Sequence, residues 1–187
     1  MPSAKIIEDW PQESREAAQA VIDKYGEPDE ATQSLLIWYQ RRHWKKIVAS
    51  KEFYRHDFPM PHTDSVQCFT NYRVPVSKIT PIAEFDGSVS VEHTAGEVSA
   101  RCNDEEANCL ALNLMHDIVT GEKSSQEARN YYANEVLSYR RKKPTPYMED
   151  LLFSPNGNGT GDPDTRILSD EVLKWAVDEG KQDGNRL

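Results

Sequence analysis

The stretch Asn103-Asp-Glu-Glu-Ala-Asn-Cys-Leu-Ala-Leu-Asn-Leu-Met-His-Asp-Ile-Val-Thr-Gly121 decides the fold class. Ala107, Leu110, Ala111, Leu114, Met115 and Ile118 recur at helical spacing, which gathers them on one face. Asn103 and Glu106 are spaced as a capping box, acidic residues fill the first turn, and Gly121 sits where a helix stops. A second box, Ser124 with Glu127, opens another helix reaching about Lys142, with basic residues 140–143 against the negative end of its dipole. So short a link between two helices predicts an antiparallel helical hairpin over 103–143.

Upstream, the pattern changes to short runs rich in β-branched and aromatic residues. Residues 32–39 and 44–54 predict one β-hairpin, 66–74 a third strand, and 88–93 with 97–102 a second hairpin around Ala95-Gly96. A short helix over 78–85 stops at Asp86-Gly87. At the N-terminal side, Pro11 opens a helix whose Ala17, Ala18, Val21, Ile22 and Tyr25 share a face, and Gly26 with Pro28 ends it. The expectation is an α+β fold. Two hairpins form an antiparallel sheet, the helical hairpin packs on it, and an N-terminal helix precedes it.

Downstream of Lys143 the chain turns to proline and glycine, with the run Asn156-Gly-Asn-Gly-Thr-Gly-Asp162, which cannot bury a core. We therefore expect one domain over 1–146, then a flexible linker and a short C-terminal helix over 147–187. Val172, Leu173, Trp175, Ala176 and Val177 make that helix apolar enough to dock on its own domain, on a second copy or on a protein partner.

The formal net charge of −9 argues against a general nucleic-acid binder, whose affinity comes from neutralising phosphates. No apolar run approaches the length of a membrane span, and the N-terminus lacks a secretory signal's apolar stretch, so a soluble, cytoplasmic chain is the expectation. Cys68, Cys102 and Cys109 form no CxxC pair and read as buried thiols rather than a disulfide framework or zinc knuckle.

A resemblance adds to this. Phe58-Pro-Met-Pro-His62, Asp86-Gly-Ser-Val89, Gly96-Glu-Val-Ser-Ala-Arg-Cys102, Leu110-Ala-Leu-Asn-Leu114 and His116-Asp-Ile-Val-Thr-Gly121 resemble segments of an uncharacterised bacterial protein family of unknown function. The resemblance spans roughly residues 8–155 and implies no activity.

Candidate chemistry falls in several places. His56, Asp57, His62 and Asp64 are ligand types for zinc, iron or manganese around a proline-rich loop, but the spacing of the histidines matches no compact motif. Cys102 precedes a helix start, where the dipole lowers a thiol pKa, with His93 on the paired strand as its base. Glu97 and Arg101, four apart on one strand, read as an ion pair rather than an acid–base pair. Glu105, Cys109, Leu112 and His116 form a helix stripe opposite the apolar face, read as solvated or as a contact surface. Arg41, Arg42, Trp44 and Lys45 form a basic, aromatic patch suited to an acidic partner, and Trp175 marks the second partner-binding position.

Because no four-ligand set is visible, no metal or other cofactor is expected. Two function classes stand open, and whether the chain is an enzyme is undecided. One is a non-catalytic binding or assembly module. The other is a small metal-dependent or thiol enzyme with a site of His56, His62, His93 and Cys102.

Overall fold

The computed structural model describes residues 2–155 and 165–184. Six strands form one antiparallel sheet: β1 (Glu30–Ala31), β2 (Leu35–Arg41), β3 (Trp44–His56), β4 (His62–Asn71), β5 (Val89–Glu92) and β6 (Glu97–Cys102), in the order β1-β2-β3-β4-β6-β5. The helices are α1 (Ser3–Ile7), α2 (Gln12–Tyr25), α3 (Ile79–Phe85), α4 (Glu105–Thr120), α5 (Ser125–Arg140), α6 (Pro146–Glu149) and α7 (Asp170–Gly184). The α+β fold and its antiparallel sheet are as expected. The two hairpins are fused edge to edge by β4 and β6, where Val66 faces Cys102 and Cys68 faces Ala100.

Period-two alternation decides which residues enter the core. Leu36, Trp38, Ile47, Ala49, Val66, Cys68 and Ala100 are buried on the helix-bearing face. Against them lie α2 and α4, while α5 packs on α3 and α4 rather than on the sheet. Leu110, Leu114 and Ile118 are fully or almost fully buried, as their periodicity requires, and Ala107 is buried with them.

Two details of the helical hairpin differ. The N-cap of α4 is Asp104, whose carboxylate accepts from the Ala107 amide at 2.8 Å, one residue later than the Asn103–Glu106 box. The Ser124–Glu127 box forms in full, and Gly121 takes the left-handed conformation (φ 85°) that ends α4.

The larger difference is on the far side of α4. Glu105, Cys109 and Leu112 are buried, so of the two readings of this stripe, solvated face or contact surface, it is a contact surface within the chain. Tyr25, Lys24 and Trp44 close over Glu105, and a strap, residues 146–153, covers the side that carries Asn113 and His116. Asn113 pins it by donating to the carbonyls of Tyr147 (2.9 Å) and Asp150 (2.8 Å) and accepting from the Leu152 amide (2.8 Å). Phe153 stacks on His116, with ring centroids 4.8 Å apart. Packing on the domain thus continues past residue 146. The expected glycine-rich tether falls largely on residues 156–164, outside the described residues. Beyond it, α7 presents Val172, Leu173, Trp175 and Val177 to solvent, with Trp175 63% exposed, so it is not docked on the domain.

Candidate functional site

The β3–β4 hairpin builds the site. The proline-rich loop over 57–61 returns the chain so that His56, the last residue of β3, pairs across the ladder with His62, the first of β4. Asp64 lies two residues further along β4, on the same side of the strand as His62. The three side chains converge, and one ligand atom of each lies within 4.8 Å of the others. His62 Nε2 is 3.0 Å from Asp64 Oδ1, and His56 Nδ1 is 3.2 Å from Asp64 Oδ2.

These approaches are close but badly directed. His56 Nδ1 and Asp64 Oδ1 are both buried, and neither has a hydrogen bond of acceptable geometry within the protein. Buried polar atoms are normally paired, so two orphans in one three-residue cluster leave room for another group to pair with them. His62 is oriented from behind: its Nδ1 lies 2.8 Å from the Met60 carbonyl, which can only accept, so Nδ1 carries a proton. That is the backbone anchor that metal-bound histidines use to aim the other nitrogen. Asp64 raises the His62 pKa above its ordinary value, burial opposes it, and the Met60 carbonyl adds to the rise.

Around the three lie Asp86, Cys102 and Tyr132. Asp86 is buried, accepts from the amide (2.8 Å) and hydroxyl (2.7 Å) of Ser88, and stands 3.8 Å from His56 Nε2. Cys102 Sγ is 3.4 Å from His62 Nε2 but does not join the three-residue set. Burial, then the charges of Asp104 and Asp64, push its thiol well above the ordinary value. The expected activation by the helix dipole does not win, and Cys102 is held as a neutral thiol.

His93, its expected base, lies beyond Glu92, which pairs with Glu97 at the start of β6, whereas Cys102 ends that strand. Five residues of strand, about 17 Å, separate the two levels. Of the four residues expected to form one site, His56, His62 and Cys102 meet and His93 does not. Asp57 also leaves the set: its side chain is exposed and pairs with Arg55 at 3.3 Å.

The remaining sequence candidates are internally neutralised. Glu97 pairs with Lys45 at 2.7 Å and with Lys46 at 3.8 Å, not with Arg101. Trp44 is 1% exposed, which removes it as a stacking surface. Arg41 pairs with Asp29 (3.0 Å), and Arg42 with Asp150 (2.6 Å). The basic patch is therefore tied to the protein's own carboxylates. Trp175 stays exposed, on a helix that has no seat on the domain.

A second gathering, His43, Glu105 and Cys109, also brings ligand types together. There Glu105 is already saturated: Trp44 Nε1 and Tyr25 Oη each donate to Oε1 at 2.8 Å, and Lys24 Nζ lies 2.9 Å from Oε2. Burial raises its pKa, but the hydrogen bonds from Trp44, Lys24 and Tyr25 outweigh it and hold the carboxylate below its ordinary range.

The chemistry open to the His56 cluster follows from its spacing. Ligands about 2.0–2.1 Å from an ion at tetrahedral angles lie about 3.3 Å from one another. The 3.0 and 3.2 Å separations about Asp64 are close to such an edge, one from each carboxylate oxygen, so a single ion would meet both oxygens or a slightly turned carboxylate. Two imidazoles and one carboxylate leave a coordination position open, the arrangement of catalytic zinc and non-haem iron sites rather than of closed structural ones. A polar cleft of about 360 Å³ reaches His56 and Asp64 from one side, and a more apolar one of about 170 Å³ reaches His62 and Cys102 from the other.

Sequence reasoning placed His56 and His62 in an irregular segment, because two prolines flank Met60. The usable signal was a hairpin closed by 57–61, which sets His56 opposite His62 and leaves Asp64 in phase. No helix among the described residues is long and apolar enough to cross a membrane. Comparison of the chain with protein-family models, with curated proteins and with solved structures finds no match.

Proposed function

We propose that this chain binds one divalent transition-metal ion through His56, His62 and Asp64, and that the ion's open position serves a small metal-dependent enzyme. The observation that carries the reading is that His56 Nδ1 and Asp64 Oδ1 are buried without a directed bond, in a cluster whose three ligand atoms lie within 4.8 Å of one another. A cation placed between them satisfies both, and the Met60 carbonyl already selects the His62 tautomer whose Nε2 would bind. Such an ion would act as a Lewis acid or lower the pKa of a bound water. Cys102 beside His62 is a neighbour of the site, and its raised pKa supports the metal reading over a thiol nucleophile.

This reading replaces the expectation of a cofactor-free chain, which rested on the absence of a ligand motif in the sequence. Metal analysis of the purified protein tests it, with zinc, iron and manganese each offered to chelator-stripped samples. One ion per chain, lost in His56→Ala and His62→Ala, supports the proposal. Wild-type protein that takes up none of the three ions ends it.

A second reading, a non-catalytic assembly module, is supported by the exposed apolar side chains of α7, with Trp175 and Val177 standing in solvent. It concerns a different part of the chain and is compatible with the first.

A further inference from the structure

The cleft beside His56 and Asp64 is lined by a cation, Arg101, that is held without a carboxylate. Lys45, Arg41, Arg42 and Lys123 each sit against a carboxylate of this chain. Arg101 does not: among the described residues its guanidinium has only neutral partners. Its Nε (3.2 Å) and Nη2 (2.7 Å) both donate to Gln67 Oε1. Gln67 is itself held by donating to Ser99 Oγ at 2.8 Å. The ring of Tyr54 lies 5.2 Å from the guanidinium carbon. Strand pairing fixes the frame, since Gln67 and Arg101 are direct partners across β4 and β6.

Two hydrogen bonds to an amide and one aromatic face lock the side chain while leaving its charge uncompensated in a protein of net charge −9. Arg129 too is held by neutral groups, the Phe85 carbonyl and the Phe58 ring; what sets Arg101 apart is that it lines a cleft shared with His56 and Asp64. An arginine held there by neutral groups, with donors still available, is arranged for an anion that comes from outside.

We infer that this cleft is an oxyanion subsite centred on Arg101, for the phosphate or carboxylate group of a small substrate whose reacting oxygen reaches the His56–His62–Asp64 site. The cleft, about 360 Å³, is lined by both Arg101 and the ligand pair His56 and Asp64, and the hydroxyl-bearing Ser88 and Ser90 complete its polar wall. The inference rests on the metal proposal for its chemical purpose. Without an ion, Asp64 and the nearby Asp86 set negative charge against an incoming anion. A divalent cation between His56, His62 and Asp64 reverses that wall. Metal and oxyanion must therefore strengthen one another's binding, and by the same factor in either order.

Inorganic phosphate and acetate, titrated calorimetrically into metal-loaded, dialysed full-length protein, test the inference, with metal content measured on the same samples. Saturable binding of either anion is expected, weakened at least about tenfold in Arg101→Gln, the weight of one charge-assisted hydrogen-bonded contact. Metal content should not change in that variant. The anion that binds tells whether phosphate or carboxylate is the group recognised. Ser90→Asp puts a carboxylate on the cleft wall, opposite the Ser99 that holds Gln67, while keeping Arg101 and Gln67 in the sequence, and should abolish anion binding even if Arg101→Gln folds poorly. Stoichiometric metal with no saturable anion binding, or binding indifferent to both variants, overturns the subsite and leaves the metal proposal standing. Arg101-dependent binding in a chain that takes up no metal does the reverse.

Discussion

Around Glu105 and around Asp64, the same kinds of side chain meet in the same domain at similar distances. At Glu105 each strong acceptor has its donor: Trp44, Tyr25 and Lys24 all point at the carboxylate, and Arg42 completes the charge balance at 3.9 Å. At Asp64 two imidazoles approach as closely, yet Asp64 Oδ1 and His56 Nδ1 are left without a directed bond. The Glu105 carboxylate is a structural element with nothing left to offer, although His43 Nε2 in the same gathering is buried without a hydrogen bond. The Asp64 carboxylate, at equal burial, has kept its lone pairs for something else. The difference lies in direction rather than in composition or distance.

The sharpest way to break this comparison is to remove each carboxylate. Glu105→Ala strands the buried Trp44 N–H and the Tyr25 hydroxyl. It should cost about 3 kcal/mol, read from the denaturant midpoint at unchanged slope, with or without metal. Asp64→Asn in metal-free protein should change stability by less than about 1 kcal/mol, because few well-directed bonds are lost. Equal losses at the two sites would show that both networks are structural.

Adding metal should separate them next. An ion held only by the folded state stabilises it by about 2.7 kcal/mol at a hundredfold excess over its dissociation constant. We expect that gain, as an upward shift in Tm with zinc or manganese, in wild-type protein and in Glu105→Gln. It should vanish in His62→Ala. A shift that survives His62→Ala would move the binding site elsewhere, with the His43–Glu105–Cys109 gathering as the next place to look.

Most of the fold was legible because its signals are local. The periodicity of α4, the Ser124–Glu127 box and the alternation in β2, β3 and β6 depend on residues a few positions apart. The fusion of the hairpins through β4 and β6, and the strap pinned by Asn113, depend on contacts between distant segments. No single-sequence pattern encodes those. The site fell between the two. Its residue types were visible in His56, His62 and Asp64, but their meeting requires the β3–β4 register, and the prolines around Met60 hid the hairpin. The pairing of Arg101 with Gln67, in place of Glu97, is likewise a cross-strand fact.

The histidines give a smaller effect with a definite sign. Burial lowers the His43 pKa; the Asp150 carboxylate 2.8 Å from its Nδ1 opposes this, and the Arg42 charge adds to the lowering. Below the unfolded value of about 6.5 the unfolded chain therefore binds a proton that the folded chain resists, and stability falls as pH drops through that window. His62 is raised, so its contribution is complete below about pH 6.5 and is lost as pH climbs through its folded value. In metal-free protein, His43→Gln should flatten the acid side of the stability profile and His62→Gln the alkaline side. If both variants flatten the same side, one of the two environments has been misread.

The smallest effect on stability concerns apolar rather than polar surface, and extends the comparison to α7. The domain covers the outer side of α4 with the strap and leaves scattered apolar side chains such as Val76 and Leu137 exposed. In α7, Val172, Leu173, Trp175 and Val177 remain exposed on a helix short enough to be marginal alone in water. Since these side chains contribute nothing to the domain, deleting residues 156–187 should change its unfolding free energy by less than about 0.5 kcal/mol. The exposed side chains make α7 the expected contact of an assembly. Trp175 should emit as a solvated indole in dilute protein and shift to the blue as concentration rises, while light scattering reports a doubled mass. The truncated chain should keep the monomer mass throughout. Equal masses for the two chains at every concentration, with Trp175 solvated in all of them, would rule out self-association through α7. The helix would then be left to a partner of different sequence. A truncation that costs several kcal/mol would instead mean that α7 docks on the domain in solution, as closed a surface as the one around Glu105.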